Sequence, residues 1–149
     1  VRRFIAIVLI ISVGLAVAGT YVIRPQTNIV QGSCTPTDLR DIQTAITGQT
    51  EALSAQDFQR ARSYSSASFR LSVTEQQFVT IISSGYPFLL ESPSITFDTC
   101  DEAGPGQIDV FASFDVNGQT NRLRYVMVIE DGTWLISAAT NANPRTLST

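Results

Sequence analysis

The stretch QIDVFASFDVNGQTNRLRYVMVIEDGTWLISAAT, residues 107–140, decides the fold class. Its first part places Ile108, Val110, Ala112, Phe114 and Val116 at every second position. Successive side chains of a strand point to opposite faces, so this spacing predicts a strand with one apolar face. Asn117-Gly118 follows, a pair that readily takes the backbone angles of a tight hairpin turn. Gln119 to Glu130 reads as the next strand, Asp131-Gly132 as a second turn and Thr133 to Thr140 as the last strand. Just upstream, Ile95 and Phe97 alternate with polar neighbours and open the series. The expectation is a four-stranded antiparallel meander.

Before Ser94 the apolar period is helical. Leu39, Ile42, Ile46 and Leu53 recur at helical spacing, with Ala45 and Ala52 widening the stripe, which predicts one helix from Pro36 to about Ala55. Asp38 and Asp41 lie in its first turn, where acidic groups favour the positive end of the helix dipole. Asp57 reads as the cap of a short second helix carrying Phe58, Ala61 and Tyr64, broken by the serine-rich run Ser63 to Ser68. Thr74 and Gln77 have the spacing of a capping box. They open a third helix that buries Phe78, Ile81 and Ile82 and ends near Gly85. Tyr86-Pro87 begins an irregular connection through Pro93. Three helices followed by four strands predict an α+β domain with the helices packed on one face of the sheet.

Outside this domain, Phe4 to Ile23 is a run of twenty uncharged, mostly apolar residues between Arg2-Arg3 and Arg24. Twenty helical residues at ~1.5 Å each span a bilayer core of ~30 Å. Residues 1–24 therefore read as a transmembrane signal anchor with a cytoplasmic N-terminus, since two arginines precede the span and one follows it. The alternative is a signal peptide cleaved after Ala18, where Ala16-Val17-Ala18 precedes Gly19. Either reading puts the rest of the chain outside the cytoplasm: on the membrane if anchored, secreted or periplasmic if cleaved. Residues 25–33 read as a linker, 34–143 as the domain and 144–149 as a loose tail.

Composition removes whole classes of chemistry. The chain has no histidine and no lysine. Histidine-based nucleophilic catalysis, imidazole metal sites, Schiff bases and the phosphate-loop lysine are therefore all absent. All thirteen acidic residues lie after position 33, against seven of the ten arginines, so the domain is net acidic and unsuited to nucleic-acid backbones. No cofactor, metal site or catalytic residue is expected. Cys34 and Cys100 are an even pair, read most simply as a disulfide in an oxidising compartment. Two unrelated buried thiols are the other reading. Closing a loop of about 65 residues is worth roughly 4 kcal/mol on the chain-entropy model.

The order of elements resembles the nuclear-transport-factor-2-like (NTF2-like, cystatin-like cone) superfamily. Within it the chain resembles the DUF4864 family. The residues that carry the likeness are Ala55-Gln56-Asp57, Tyr64-Ser65 with Ser68-Phe69-Arg70, Phe78 before Gly85-Tyr86-Pro87, and the closing Asp131-Gly132-Thr133-Trp134-Leu135-Ile136. The resemblance spans about Ile42 to Ala139 and implies an NTF2-like cone, a curved sheet cupping a pocket against the helices. It carries over no catalytic residue.

Three functional readings follow. The first is an accessory module, non-catalytic, that binds an envelope protein or a small apolar ligand. The second is a pocket enzyme of the isomerase type, which the resemblance suggests through superfamily members that use a carboxylate base with a tyrosine. Asp109 and Asp115 are the carboxylates on one strand, but they alternate with the apolar set and belong on its opposite face. The third is a dimerisation module, a homodimer formed through the sheet.

Candidate ligand-binding residues are Tyr86, Arg124 and Tyr125, the arginine holding a carboxylate or phosphate with a tyrosine beside it. The competing reading pairs Arg124 with Asp109 or Asp115 on the neighbouring strand. Arg122, Arg124, Val126, Val128 and Glu130 share one face of their strand, and Leu123, Tyr125, Met127 and Ile129 the other. Because both faces are partly apolar, cover on both sides is expected. Trp134 reads as a core or rim residue, and Phe88-Leu89-Leu90 as either the closure of one end of the domain or an exposed contact surface.

Overall fold

A computed structural model of the chain describes residues 30–143. The apolar run from Phe4 to Ile23 and the tail at 144–149 lie outside those residues. Among the described residues no helix is long and apolar enough to cross a membrane.

The elements are β1 (Gln31–Gly32), α1 (Pro36–Ser54), α2 (Phe58–Ser63), α3 (Ala67–Ser72), α4 (Glu75–Gly85), a 3₁₀ turn (Pro87–Leu90), β2 (Ser94–Gly104), β3 (Gln107–Val116), β4 (Gln119–Glu130) and β5 (Thr133–Asn141). The strands form one sheet in the order β1-β2-β3-β4-β5. The meander from β2 to β5 is antiparallel throughout, as the alternation and the two turns predict. Asn117 and Asp131 both take positive φ, as do Gly118 and Gly132 after them, which is the geometry a two-residue hairpin turn requires.

Two elements differ from the expectation. The sheet has five strands, not four, because Gln31-Gly32, inside the stretch read as a linker, pairs in parallel with Thr99 and Cys100. Gly32 sits at φ +136°, and a Cβ there would lie 1.9 Å from the Cys100 carbonyl oxygen. Only glycine lets these backbones approach so closely. Among the described residues of the domain the helices number four, not three. The serine-rich run is a turn only as far as Ser66, whose side chain accepts from Phe69 N and caps α3.

The caps explain the other helix starts. Thr35 accepts from Asp38 N at 3.1 Å, and Asp57 accepts from Arg60 N at 3.0 Å. At α4 the full capping box is present: Gln77 N donates to Thr74 Oγ1 and Thr74 N donates to Gln77 Oε1. Each cap satisfies amides that the first helical turn leaves without partners.

The core lies between the helices and one sheet face. Ile42, Ile46 and Leu53 of α1 pack with Phe78 and Ile82 of α4 against Val110, Ala112, Phe114, Leu123, Tyr125 and Met127. Leu89 is buried as well, so Phe88-Leu89-Leu90 closes one end of this core and is not a free surface. The expectation that β4 is covered on both sides is not met among the described residues. Leu123, Tyr125 and Met127 are buried, whereas Arg124 is exposed and Val126 and Val128 are half-buried.

The Cys34–Cys100 disulfide is formed, with Cα atoms 5.6 Å apart and a sequence separation of 66. It fastens the entrance of α1 to β2 beside β1, where Cys34 N also donates to Cys100 O at 3.2 Å.

Candidate functional site

Tyr125 is the largest fully buried side chain of the domain. Its place on β4 follows from the period of two, which turns it with Leu123 and Met127 toward the helices. Tyr86 reaches the same region from the other layer. It is the C-cap of α4, its N–H donates to Ile82 O at 2.9 Å, and its hydroxyl donates to Ala139 O on β5 at 3.1 Å. That bond ties the end of α4 to the sheet. Between the two tyrosines runs a chain of aromatic contacts: Tyr86 to Phe88 at 6.4 Å, Phe88 to Phe114 at 6.0 Å and Phe114 to Tyr125 at 6.1 Å between ring centroids.

Both tyrosines line a cavity of about 330 Å³ between α1, α4 and the β4–β5 hairpin. Phe69, Phe78, Ile82, Leu89 and Ile136 supply most of the wall, and Phe69 meets Phe78 edge-on at 6.0 Å. Gln49 and Ser65 add buried polar groups. Gln49 is held in place by donating from Nε2 to Ala61 O at 3.3 Å. The segment carrying Ser65 is pinned to the edge of β5, where Ile136 N donates to Tyr64 O at 2.9 Å and Ser66 N donates to Ile136 O at 2.8 Å. The volume is at the low end of the range, ~300–1,000 Å³, in which small-molecule sites fall. Grooves that flank α1 are larger but shallow, with much of their lining, including Arg40, Glu51 and Ser92, exposed to solvent.

Burial raises the Tyr125 phenol well above the ordinary tyrosine range, and the neighbouring Tyr86 phenol adds to the effect. Among the described residues, the buried side-chain polar atom with no partner and no access to free space is Asp109 Oδ1, not the Tyr125 hydroxyl. Tyr125 itself is 1% exposed and belongs to the cavity lining.

Arg124 is not brought into this site. It lies on the outer sheet face, where Nε donates to Asp109 Oδ2 at 3.1 Å. Beside it Arg122 donates from Nε to Asp98 Oδ2 at 3.0 Å, an oxygen that also accepts from Ser113 Oγ at 2.8 Å, and the Arg122 guanidinium sits 4.6 Å over the Phe111 ring. The structure thus joins Tyr86 and Tyr125 and separates Arg124 from both. Asp115 is also away from the cavity, accepting from Gly118 N and Thr120 Oγ1 in the hairpin turn.

Gln49 and Ser65 escaped the reading of the sequence. For Gln49 a signal existed: it continues the stripe of Ile42, Ile46 and Leu53, so a polar side chain there had to face the core. Ser65 offered none, because nothing local distinguishes it from the serines around it. Among the described residues no group of three or more cysteine or acidic side chains is placed to hold a metal ion.

No curated protein matches this chain. Residues 35–149 match the family described as a domain of unknown function (DUF4864), and the chain belongs to that family.

Proposed function

We propose that the domain is a non-catalytic binding module whose cavity takes a small apolar molecule. The observation that carries this reading is the cavity itself: an interior space of about 330 Å³, walled by aromatic and aliphatic side chains, with a few polar groups and, among the described residues, no charged one in its lining. A space of that kind left open in an otherwise close-packed core forgoes dispersion contacts and apolar burial, which a ligand restores. In this reading the helices and the bulged sheet form an NTF2-like cone. Bulges at Phe97/Thr99 and Val126/Met127 bend the strands that carry one wall, which supports it. Residues 4–23 would hold the module at the extracytoplasmic face of a membrane, or be removed after export. The disulfide suits that location, since such bonds persist in oxidising compartments.

The carboxylate-base isomerase finds less support, because no Asp or Glu lines the cavity and Asp109 and Asp115 lie elsewhere. A sheet-mediated homodimer draws on the half-buried Phe111, Val126, Val128 and Leu135 of the outer face. Sedimentation equilibrium showing a monomer at high concentration would remove that reading.

The ligand reading is tested by titrating the protein with small aromatic and aliphatic molecules, followed by amide chemical shifts, before and after Ala139→Leu. Saturable shifts clustered on Tyr86, Tyr125 and Ile136 in the parent, and lost in the variant, are expected. Binding that the cavity-filling leucine leaves intact would place the ligand elsewhere.

A further inference from the structure

Resting on the ligand-binding reading above, we infer that the cavity receives its ligand oxygen-first, with the Tyr125 hydroxyl as hydrogen-bond donor. The ligand class is then a small, uncharged, mostly apolar molecule bearing one acceptor oxygen.

The order of burial along the cavity gives the direction. Three polar residues line it at depth: Gln49, Ser65 and Tyr125 are 6%, 2% and 1% exposed. At the lip stands an apolar residue, Ile81, which is 41% exposed and also borders the α3–α4 groove. Phe78, Leu89, Ile136 and Ile82 are as buried as these three, so the direction rests on Tyr125 at depth against the exposed, apolar Ile81 at the lip.

The donor is Tyr125 for a reason of hydrogen-bond accounting. Buried hydroxyls nearly always have a partner, because leaving one unmade costs the desolvation of the group. Tyr86 has its acceptor in Ala139 O, so its proton is committed. Tyr125 lines the cavity, and no hydrogen bond to a described residue commits its hydroxyl. Its raised pKa keeps the proton in place across the physiological range, so it remains a donor. The amide of Gln49, fixed by Ala61 O, and Ser65 also line the cavity.

Charge sets the remaining limit. Among the described residues no arginine lines the cavity, and Arg124 is paired with Asp109 on the far face of the sheet. A carboxylate or phosphate seated on this floor would be buried without a counter-ion, which is strongly unfavourable. A neutral carbonyl or ether oxygen meets no such cost.

The test uses acetophenone and ethylbenzene, which are close in shape and differ in the acceptor oxygen, against the full chain with its disulfide intact and against Tyr125→Phe. The double comparison cancels the different water solubility of the two probes and any background partitioning. Tyr125→Phe is expected to weaken acetophenone by roughly tenfold, as loss of one buried hydrogen bond implies, and to leave ethylbenzene unchanged. The carbonyl stretch of bound acetophenone should lie at lower frequency in the parent than in the variant, a readout that does not depend on stability. If both probes bind and the substitution affects them equally, the oxygen-first orientation is overturned while the cavity reading stands. If neither probe binds the parent saturably, both fall together.

Discussion

The indole Nε1 of Trp134 donates to Asp38 Oδ1 at 3.0 Å, joining the second residue of β5 to the first turn of α1 across a sequence separation of 96. Asp38 Oδ2 accepts from Thr35 Oγ1 at 2.7 Å, so one carboxylate serves both the helix cap and the sheet. Trp134 is 8% exposed, which makes it a core residue whose polar edge is satisfied from the helix layer.

This contact gives stability a pH dependence. The Thr35 hydroxyl first and the Trp134 indole second hold the Asp38 carboxyl below its ordinary value of 3.8, against a smaller opposing effect of burial. A carboxylate with a lowered folded pKa stabilises fully above the unfolded pKa and loses that contribution as pH falls through the folded value. The melting temperature of the parent should therefore exceed that of Asp38→Asn by a constant margin above about pH 5, with the margin shrinking toward more acidic solution. Trp134→Phe should cost about 1 kcal/mol for the hydrogen bond and flatten the same profile. A margin that persists unchanged to the acid limit would show the carboxylate is not linked to folding.

The disulfide closes a loop spanning 66 residues of sequence. Replacing both cysteines by serine should lower unfolding stability by about 4 kcal/mol in denaturant titrations, and reducing agent should bring the parent to a similar value. A loss below about 1 kcal/mol would mean that β1 and the Cys34–Cys100 backbone bond already hold the entrance of α1 in place.

Gly48 tests a close approach inside α1. A Cβ at this position would lie 2.5 Å from the Tyr64 hydroxyl oxygen and 2.6 Å from Cζ. In an open helix Gly→Ala is favourable by about 1 kcal/mol. Here Gly48→Ala should instead destabilise by about 1–3 kcal/mol through overpacking, and the helical gain should reappear in a Tyr64→Ala background. Equal effects in the two backgrounds, read by urea unfolding, would show that the ring moves aside freely.

Arg62 acts through backbone carbonyls. Its Nε and a terminal nitrogen donate to Val73 O at 3.2 Å and 2.7 Å, and the same nitrogen donates to Arg70 O. These are carbonyls at the end of α3, which the helix itself cannot satisfy. Arg62→Met keeps the stem and removes the donors, and should cost about 2 kcal/mol. Amide exchange should quicken in α3 and stay slow at Ile46 in α1; uniform acceleration in both would deny a local role.

The legibility of this protein follows the range of the interactions involved. The hairpin at Asn117-Gly118, the capping box at Thr74, the cap at Asp57 and the inward face of β3 all depend on neighbours within a few residues, and all are in the structure where the periodicity predicts them. The extra helix, α3, is not legible because Ala67 to Ser72 is too short to carry an apolar stripe; it is held by the Ser66 cap and by Arg62, a residue outside the helix. β1 was hidden because two residues carry no period at all. Its existence depends on Cys100 lying alongside and on Gly32 having no side chain.

The amino-acid order alone determined which residues share a face, where the chain turns and which chemistries are missing, because side-chain direction, turn sterics and the absence of histidine and lysine are local facts. It also supplied the two cysteines. Only the tertiary structure decided that Tyr125 faces a cavity with Tyr86 while Arg124, its neighbour in sequence, is spent on Asp109. Alternation says that the two side chains point opposite ways, but not which face the helices cover. The cavity is what remains unfilled when α1, α4 and the β4–β5 hairpin meet, a sum over side chains far apart in sequence that no short stretch encodes.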